Sequence, residues 1–518
     1  MPTTPVIEPP HDWEGPAMDD AEATAVSAAE ERFERGRRTI GLLLGPLAFI
    51  AIWLLPFPSL KPEAHRLASV VSLVVVWWVT EAVPIPATAL IGAALTVVFG
   101  VTTATTAFAP FASPTIFLFI GSFIIGQAVQ EHGLDRRLAF GLLSLPAVRG
   151  SVGRIRVAMG SPCVVTSAWM SNSATTAMML PVATGVLAAS GLAGRRNRSF
   201  SIGLLLTVAY GASIGGIITP VGTPPNLITL GLLDKLADVR INFLTWMVVM
   251  TPIATALAIA MFLLAKWLYP TPPQQQGAAA YLDRAEHAVG PWTRGQINCT
   301  IAFGVAAVLW ITPGALAAAG LSGEPWVRAL TPRLDEAVVA IVAASLLFIL
   351  PIDWPSRRFT IGWKEASQID WGTILLFGGG LSLGQLMFAT GLAEQIGRTL
   401  VAWSGVTSLW GVTAVAAALG IVLTEITSNT AATNMLVPVV ISIAQASGIN
   451  PVMPALATCI GASMVFMLPI STPPNAIIYG SRLVPITAMI RFGVLLDIVA
   501  FFIILAGLWV MAPLMGLG

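Results

Sequence analysis

Thr223-Pro224-Pro225-Asn226 returns later in the chain as Thr472-Pro473-Pro474-Asn475, and Ser171-Asn172-Ser173-Ala174-Thr175 returns as Ser428-Asn429-Thr430-Ala431-Ala432. The proline motifs are preceded by Gly211-Ala212-Ser213 and Gly461-Ala462-Ser463, and each Ser-Asn motif is followed by a proline, Pro181 or Pro438. Further upstream, the stretch from Phe119 to Gly126-Gln127 resembles that from Phe377 to Gly384-Gln385. These correspondences keep one order and a nearly constant offset, from 258 at the first to 249 at the last. Shared apolar composition does not produce such order, so the chain contains an internal duplication, a common plan in membrane transporters.

The solvent around the duplication follows from composition. Of 518 residues, 56% are hydrophobic and only 10% charged, too few charges to cover a water-facing surface of that size. Apolar runs long enough to cross a hydrocarbon core of roughly 30 Å lie at Thr39 to Phe57, Phe243 to Leu268, Leu334 to Ile352 and Arg491 to Met511. No alternating pattern of barrel strands recurs, so an all-α polytopic membrane fold is expected. A net charge of +1 without a dense basic face gives no case for a nucleic-acid partner. Cys163, Cys299 and Cys459 lie far apart, without metal or disulfide spacing, and read as packing residues.

The first 38 residues are polar and end in a mixed-charge run from Glu30 to Arg38. They do not have the order of a cleavable signal and read as a solvated tail. Arg37 and Arg38 beside the first span favour a cytoplasmic N-terminus. Arg136, Arg137, Arg149, Arg154 and Arg156 fit that side, whereas Arg195, Arg196 and Arg198 follow another apolar segment and divide the vote. Residues 39–111 read as scaffold helices, 112–232 as a first transport repeat, 233–369 as scaffold with a polar loop from Thr271 to Arg294, 370–490 as a second repeat and 491–518 as the end of the last helix.

Two adjacent prolines cannot continue a helix, because each lacks an N–H and crowds the preceding turn. Pro224-Pro225 and Pro473-Pro474 should therefore break helices within the membrane, where irregular backbone survives only against protein or a cavity. A break exposes a positive dipole end on one side and free carbonyls on the other, suited to an anion and a cation respectively. Ser and Asn side chains can donate to a carboxylate or offer oxygen to sodium. None of the four motifs contains Lys or Arg, so a bound dianion would need dipoles, neutral donors and co-bound cations. The segments carrying Gly126-Gln127 and Gly384-Gln385 are long enough for one span or for two half-helices turning back. Gly378, Gly379 and Gly380 weaken a continuous helix, which favours re-entrant hairpins there.

Isolated Ser and Thr in membrane helices usually bond back to the backbone or allow close packing; repetition beside a proline break is what raises these to site candidates. Glu81, in Trp77-Trp78-Val79-Thr80-Glu81-Ala82-Val83-Pro84-Ile85-Pro86, reads first as a structural brace. Glu425 reads equally as brace or proton-relay group. His132 and His287 fall in polar segments and are assigned no metal. The 16 tryptophans suit interfacial anchoring. Phosphate-loop, zinc-ligand and serine-nucleophile patterns are absent from the sequence, so no enzyme is expected.

On these residues, and on Ser463-Met464-Val465-Phe466-Met467-Leu468-Pro469-Ile470-Ser471, the chain resembles the divalent anion/sodium symporter family, the dicarboxylate and citrate carriers related to the solute carrier 13 group. The resemblance runs over roughly residues 40–515. It implies that Ser171, Asn172, Ser173, Ser428, Asn429 and Thr430 hold substrate carboxylates, with Thr223, Pro224, Thr472 and Pro473 completing the wall. It implies one sodium near Ser167, Ser171, Asn172 and Gly222, and another near Thr424, Thr427, Asn429 and Ser471, with no cofactor beyond Na⁺ as coupling ion. It also implies about eleven spans, two re-entrant hairpins in an inverted repeat, a homodimer in the plasma membrane and elevator-type movement. Ser173 stands where the family usually has Thr; the hydroxyl is kept and a methyl lost, which bears on substrate choice.

The expected function is thus sodium-coupled uptake of C4-dicarboxylates such as succinate, fumarate or malate. Sodium-independent dicarboxylate exchange, sodium-coupled citrate or sulfate transport, and a non-transporting membrane receptor for an anion are the alternatives.

Overall fold

The computed structural model describes residues 20–143, 152–192, 197–271, 290–514 and 516. Most of the polar tail, Arg149, Arg195, Arg196, His287 and most of the Thr271–Arg294 loop lie outside them. Three helices lead the chain: α1 (Asp20–Leu54), α2 (Pro62–Thr80) and α3 (Ile85–Val98). The first repeat follows as α4 (Pro114–Glu131), α5 (Leu134–Leu143), α6 (Val152–Ser167), α7 (Asn172–Ala189), α8 (Arg198–Gly216) and α9 (Pro224–Ala237). A middle block comprises α10 (Phe243–Leu268), α11 (Arg294–Ala318) and α12 (Glu336–Ile349). The second repeat is α13 (Trp371–Thr390), α14 (Leu392–Ser404), α15 (Leu409–Thr424), α16 (Asn429–Ala446), α17 (Val452–Ser463) and α18 (Pro473–Gly480), and α19 (Ile486–Leu514) closes the chain. Short helical turns and one two-stranded hairpin, Pro351–Asp353 with Arg358–Phe359, complete the connections.

Among the described residues seven helices are individually long and apolar enough to cross a bilayer. The run at Phe243–Leu268 is α10 itself, that at Arg491 falls inside α19, and that at Thr39 lies in α1 except for its last three residues. The run at Leu334 yields only the 14 residues of α12, because Asp335 caps its start by accepting from the Ala337 amide at 3.0 Å. Leu43, Leu47, Leu263, Val308, Phe502 and Trp509 are exposed on the long helices, as side chains facing acyl tails would be. In α8 every residue from Phe200 to Gly216 is buried, and so is every residue of α17. A helix apolar all round belongs inside a large protein, and these two helices lead directly into the Pro-Pro breaks.

Small residues decide how the helices meet. A side chain at Gly121 would strike the backbone of Ala340, and one at Gly379 would strike Ala89; α4 thereby lies against α12, and α13 against α3. Gly211 meets the Gly160 carbonyl where α8 crosses α6, and Gly461 meets the Ala417 carbonyl where α17 crosses α15. Each close approach in one half has its counterpart in the other, at the offsets the motifs show. Lipid supplies no hydrophobic drive between helices, so close backbone approach and dispersion hold such crossings.

The glycine-rich segments correct one expectation. Gly126 lies within an unbroken helix of 18 residues and Gly384 within one of 20, not in hairpins that turn back at mid-helix. The glycines at 378, 379 and 380 instead admit the Phe111 ring, Ala89 and the Asn434 side chain against the helix surface. Intrinsic helix propensity loses to this packing. The chain turns later, at Gly133 and Gly391, both in the left-handed region with φ of 64° and 82°.

Candidate substrate and cation site

All four motifs stand at helix starts. Ser171 and Ser428 are the N-caps of α7 and α16; Thr223 and Thr472 are the N-caps of α9 and α18, with the prolines filling the first helical positions. Proline suits that place because its missing N–H would be unpaired there anyway. Ser428 Oγ accepts from the Ala431 amide at 3.2 Å. The Ser-Asn motifs are therefore not helix interiors: α6 and α15 end just before them and the backbone is broken over residues 168–171 and 425–428.

The second halves exchange partners. α9 of the first repeat packs on α16 and α17 of the second, while α18 of the second packs on α7 and α8 of the first. This crossing brings the motifs to one cavity of about 570 Å³. All ten residues expected to hold substrate, Ser171, Asn172, Ser173, Thr223, Pro224, Ser428, Asn429, Thr430, Thr472 and Pro473, line it. Gln127, Gln130, Trp169, Phe303, Trp310 and Gln368 complete walls that the sequence reading did not assign. Among the described residues the lining contains neither Lys nor Arg, and the one acid among them, Asp370, caps α13 by accepting from the Thr373 amide at 3.0 Å and hydroxyl at 2.5 Å. Four positive helix ends therefore meet in a space without a basic side chain, and each end carries about half a unit of charge.

The breaks also gather oxygen. Ser167 Oγ donates to Asn172 Oδ1 at 2.7 Å. A Cβ on Gly216 would lie 2.6 Å from that Oδ1, and one on Gly222 would lie 2.5 Å from the Gly216 carbonyl and 2.8 Å from the Ala168 carbonyl. Hydroxyl, amide and carbonyl oxygens thus surround a cradle kept open by two glycines, the hard-oxygen set that suits an alkali cation. In the second repeat Thr424 Oγ1 donates to Asn429 Oδ1 at 3.0 Å and to the Ala462 carbonyl at 2.7 Å, while Ser471 Oγ donates to the Glu425 carbonyl at 2.6 Å. Thr427 differs from its neighbours: its hydroxyl donates to the Trp78 carbonyl of α2 at 3.0 Å.

Asn226 and Asn475 carry a role the sequence reading left unassigned. Both are fully buried. Asn226 Nδ2 donates to the carbonyls of Gly216 at 2.9 Å and Thr219 at 2.7 Å; Asn475 Nδ2 donates to those of Val465 at 3.2 Å and Leu468 at 3.0 Å. Each amide staples the start of one half-helix to the freed carbonyls of the other, at the same offset in both repeats. Their recurrence directly after Pro-Pro was the signal. Trp246 Nε1 and the Tyr210 hydroxyl satisfy the remaining carbonyls of Ile217 and Phe466 at 3.0 and 2.5 Å.

The two carboxylates separate. Glu81 ends α2 with φ of 49° and pairs with Arg37 at 3.2 Å, while Arg37 also reaches the Ile426 carbonyl. Glu425 is buried and accepts from the amides of Phe466, Met467 and Leu468 at 2.8, 2.9 and 3.2 Å. All three cysteines are buried and free. His132 braces the Thr360 carbonyl at 2.6 Å, and among the described residues no cluster of His, Cys, Asp and Glu has the form of a metal site.

An intramembrane cavity bounded by broken helices defines a secondary-transport fold rather than an enzyme's site. Residues 37–517 match the sodium:sulfate symporter transmembrane region, and the chain belongs to that family of multi-pass membrane transporters, in which sodium is the coupling ion. It is 33% identical over 464 residues to an uncharacterized transporter of Haemophilus influenzae, covering 88% of this chain and 93% of that one. It is 29% identical over 503 residues to the sodium-dependent dicarboxylate transporter SdcS of Staphylococcus aureus, covering 94% of each. Among solved structures the fold is similar to the YdaH transporter of Alcanivorax borkumensis, with a TM-score of 0.52, 16% identity and coverage of 78% of this chain and 86% of that one. It is also similar to MtrF of Neisseria gonorrhoeae, with a TM-score of 0.55, 14% identity and coverage of 91% and 94%.

Proposed function

We propose that this protein carries C4-dicarboxylates such as succinate, fumarate or malate inward across the plasma membrane, driven by sodium. The observation that carries this reading is the meeting of four helix N-termini, flanked by Ser and Asn donors, in one cavity lined by no Lys or Arg among the described residues. Such a site attracts two carboxylates through dipoles and neutral donors. It leaves part of their charge to be offset by cations in the adjoining oxygen cradles. The resemblance to SdcS supports the same cargo. Ser171, Asn172, Ser173, Ser428, Asn429 and Thr430 hold the carboxylates. One sodium sits by Ser167, Ser171, Asn172 and Gly222, and another by Thr424, Thr427, Asn429 and Ser471.

In this reading the pairs α6–α7 and α15–α16 are the re-entrant hairpins, their tips the Ser-Asn motifs, and the exchanged packing of α9 and α18 reflects an inverted repeat. About eleven segments then span the bilayer, with the N-terminus cytoplasmic. The repeats move as an elevator against a scaffold that also builds a homodimer.

Purified protein in liposomes should accumulate labelled succinate only under an inward sodium gradient. Uptake indifferent to sodium, with counter-flow into dicarboxylate-loaded vesicles, would convert the reading to exchange. The family's name keeps sulfate in view, and competition by sulfate and citrate in the same vesicles distinguishes these cargoes from a dicarboxylate.

A further inference from the structure

The duplicated Gly-Gln pair has different surroundings in the two halves. In the second half it is packed: a Cβ on Gly384 would meet Pro438, Leu232 and Leu236 at 3.4, 3.5 and 3.6 Å, ordinary contact distances, and neither Gly384 nor Gln385 lines the cavity. In the first half it is open: a Cβ on Gly126 would meet nothing within 4 Å, and both Gly126 and Gln127 line the cavity. No close approach accounts for glycine at 126, although glycine inside a helix costs about 1 kcal/mol relative to alanine. Gly126 also borders a second, mainly apolar cavity of about 640 Å³, which meets the first along Ile125, Gly126, Trp169, Met170 and Phe303. Space therefore opens on this face of α4 where the other half is filled.

Gln127, beside that space, is partly buried, and among the described residues no protein group hydrogen-bonds its side-chain amide. Any cargo seated before it displaces water from the amide and loses affinity unless one of its own groups restores those hydrogen bonds. The carboxylates of a dicarboxylate are already answered by the four helix ends and their Ser and Asn donors. What remains is the carbon chain between them, and a bare methylene cannot bond an amide. A third carboxylate only accepts, so it would oppose the amide oxygen, and it would bring further negative charge to a lining with no Lys or Arg among the described residues. A hydroxyl both donates and accepts, as the amide does, and is neutral.

We infer that Gly126 and Gln127 form a specificity subsite for a hydroxyl on the carbon chain of the cargo, so that the protein favours 2-hydroxydicarboxylates over the unsubstituted acid. Gly126 leaves room for the substituent, and the Gln127 amide exchanges hydrogen bonds with its oxygen. The inference rests on the dicarboxylate reading and narrows it. Because the Gly384 face is filled, the subsite exists on one side of the cavity, and one hydroxyl is the number it serves.

Competition against labelled succinate, bound to the purified protein in sodium, tests this. Malate should displace the label at a concentration about fivefold lower than unlabelled succinate needs, the effect of one net hydrogen bond. The acid 2-methylsuccinate, which carries a methyl where malate carries its hydroxyl, should not share that advantage. These wild-type measurements answer the question even if a variant does not fold. In Gln127→Leu the advantage of malate over 2-methylsuccinate should vanish, whereas a general loosening of the protein would weaken all three acids alike and leave the ratio in place. Malate no better than either analogue overturns the inference, as does an advantage that survives in Gln127→Leu. A lead for 2-methylsuccinate overturns it too, since the subsite would then be apolar. If succinate does not bind at all, the dicarboxylate reading falls and the inference with it; if succinate binds and malate gains nothing, the inference alone falls.

Discussion

At the scale of single residues, the two asparagines of each repeat do different work although both are polar, small and adjacent to a helix start. Asn172 and Asn429 face the cavity with amide oxygens that accept from Ser167 and Thr424. Asn226 and Asn475 are sealed behind it, each joining two backbone carbonyls. Replacing Asn172 or Asn429 by Ala should therefore abolish uptake while the protein still expresses and keeps its melting temperature, as vesicle uptake and thermal denaturation on one preparation would show. Replacing Asn226 or Asn475 by Ala strands two buried carbonyls, each a loss of about 1–3 kcal/mol. Those variants should melt earlier and express poorly, so uptake falls for want of folded protein. Gly222 belongs to the same scale. A Cβ there meets backbone carbonyls rather than a yielding side chain, and overpacking of this kind costs about 1–3 kcal/mol. Gly222→Ala should weaken sodium binding by about tenfold, measured as the shift in half-saturating sodium.

Among elements, the decisive relations are crossings set by glycine. Gly121 on Ala340 and Gly379 on Ala89 bring α4 to α12 and α13 to α3. Valine at either glycine would drive a branched side chain into a neighbouring helix with no room to move. A fall in melting temperature at both positions, similar in size because the two crossings are counterparts, is expected. A variant that melts normally at one position and not the other would contradict the equivalence of the halves. The same contacts explain why the glycine run at 378–380 misleads a reader of sequence. Propensity is a property of a helix alone, whereas each of these glycines is answered by Phe111, Ala89 or Asn434 from elsewhere in the chain.

For the whole molecule, the start of the chain reaches the second motif. Arg37 of α1 joins Glu81 at the end of α2 and the carbonyl of Ile426 in the break before Ser428, and Thr427 donates to Trp78 of α2. These contacts tie the leading helices to one end of the cavity. The Arg37–Glu81 pair is partly exposed, with side chains 17% and 29% accessible, and pairs of that kind contribute about 0–1 kcal/mol. Glu81→Gln should leave the melting temperature nearly unchanged. If the tie also restrains movement of the motif, the variant changes transport rate, and comparison of initial uptake rates with equilibrium binding of succinate would reveal it.

The sequence by itself determined the membrane setting and the duplication, and its resemblance to a family pointed to ten of the residues that line the cavity. Composition dictates the solvent, and adjacent prolines in an apolar segment force a break that no context can repair. Tertiary structure alone decided which halves meet. The exchange that packs α9 on α16 and α18 on α7, the stapling by Asn226 and Asn475, and the hold of Glu425 on the amides of Phe466, Met467 and Leu468 all join residues remote in sequence, and no local pattern encodes such a pairing. The placement of the turns was decided there too, because a glycine that loosens an isolated helix becomes, between two packed helices, the residue that lets them touch.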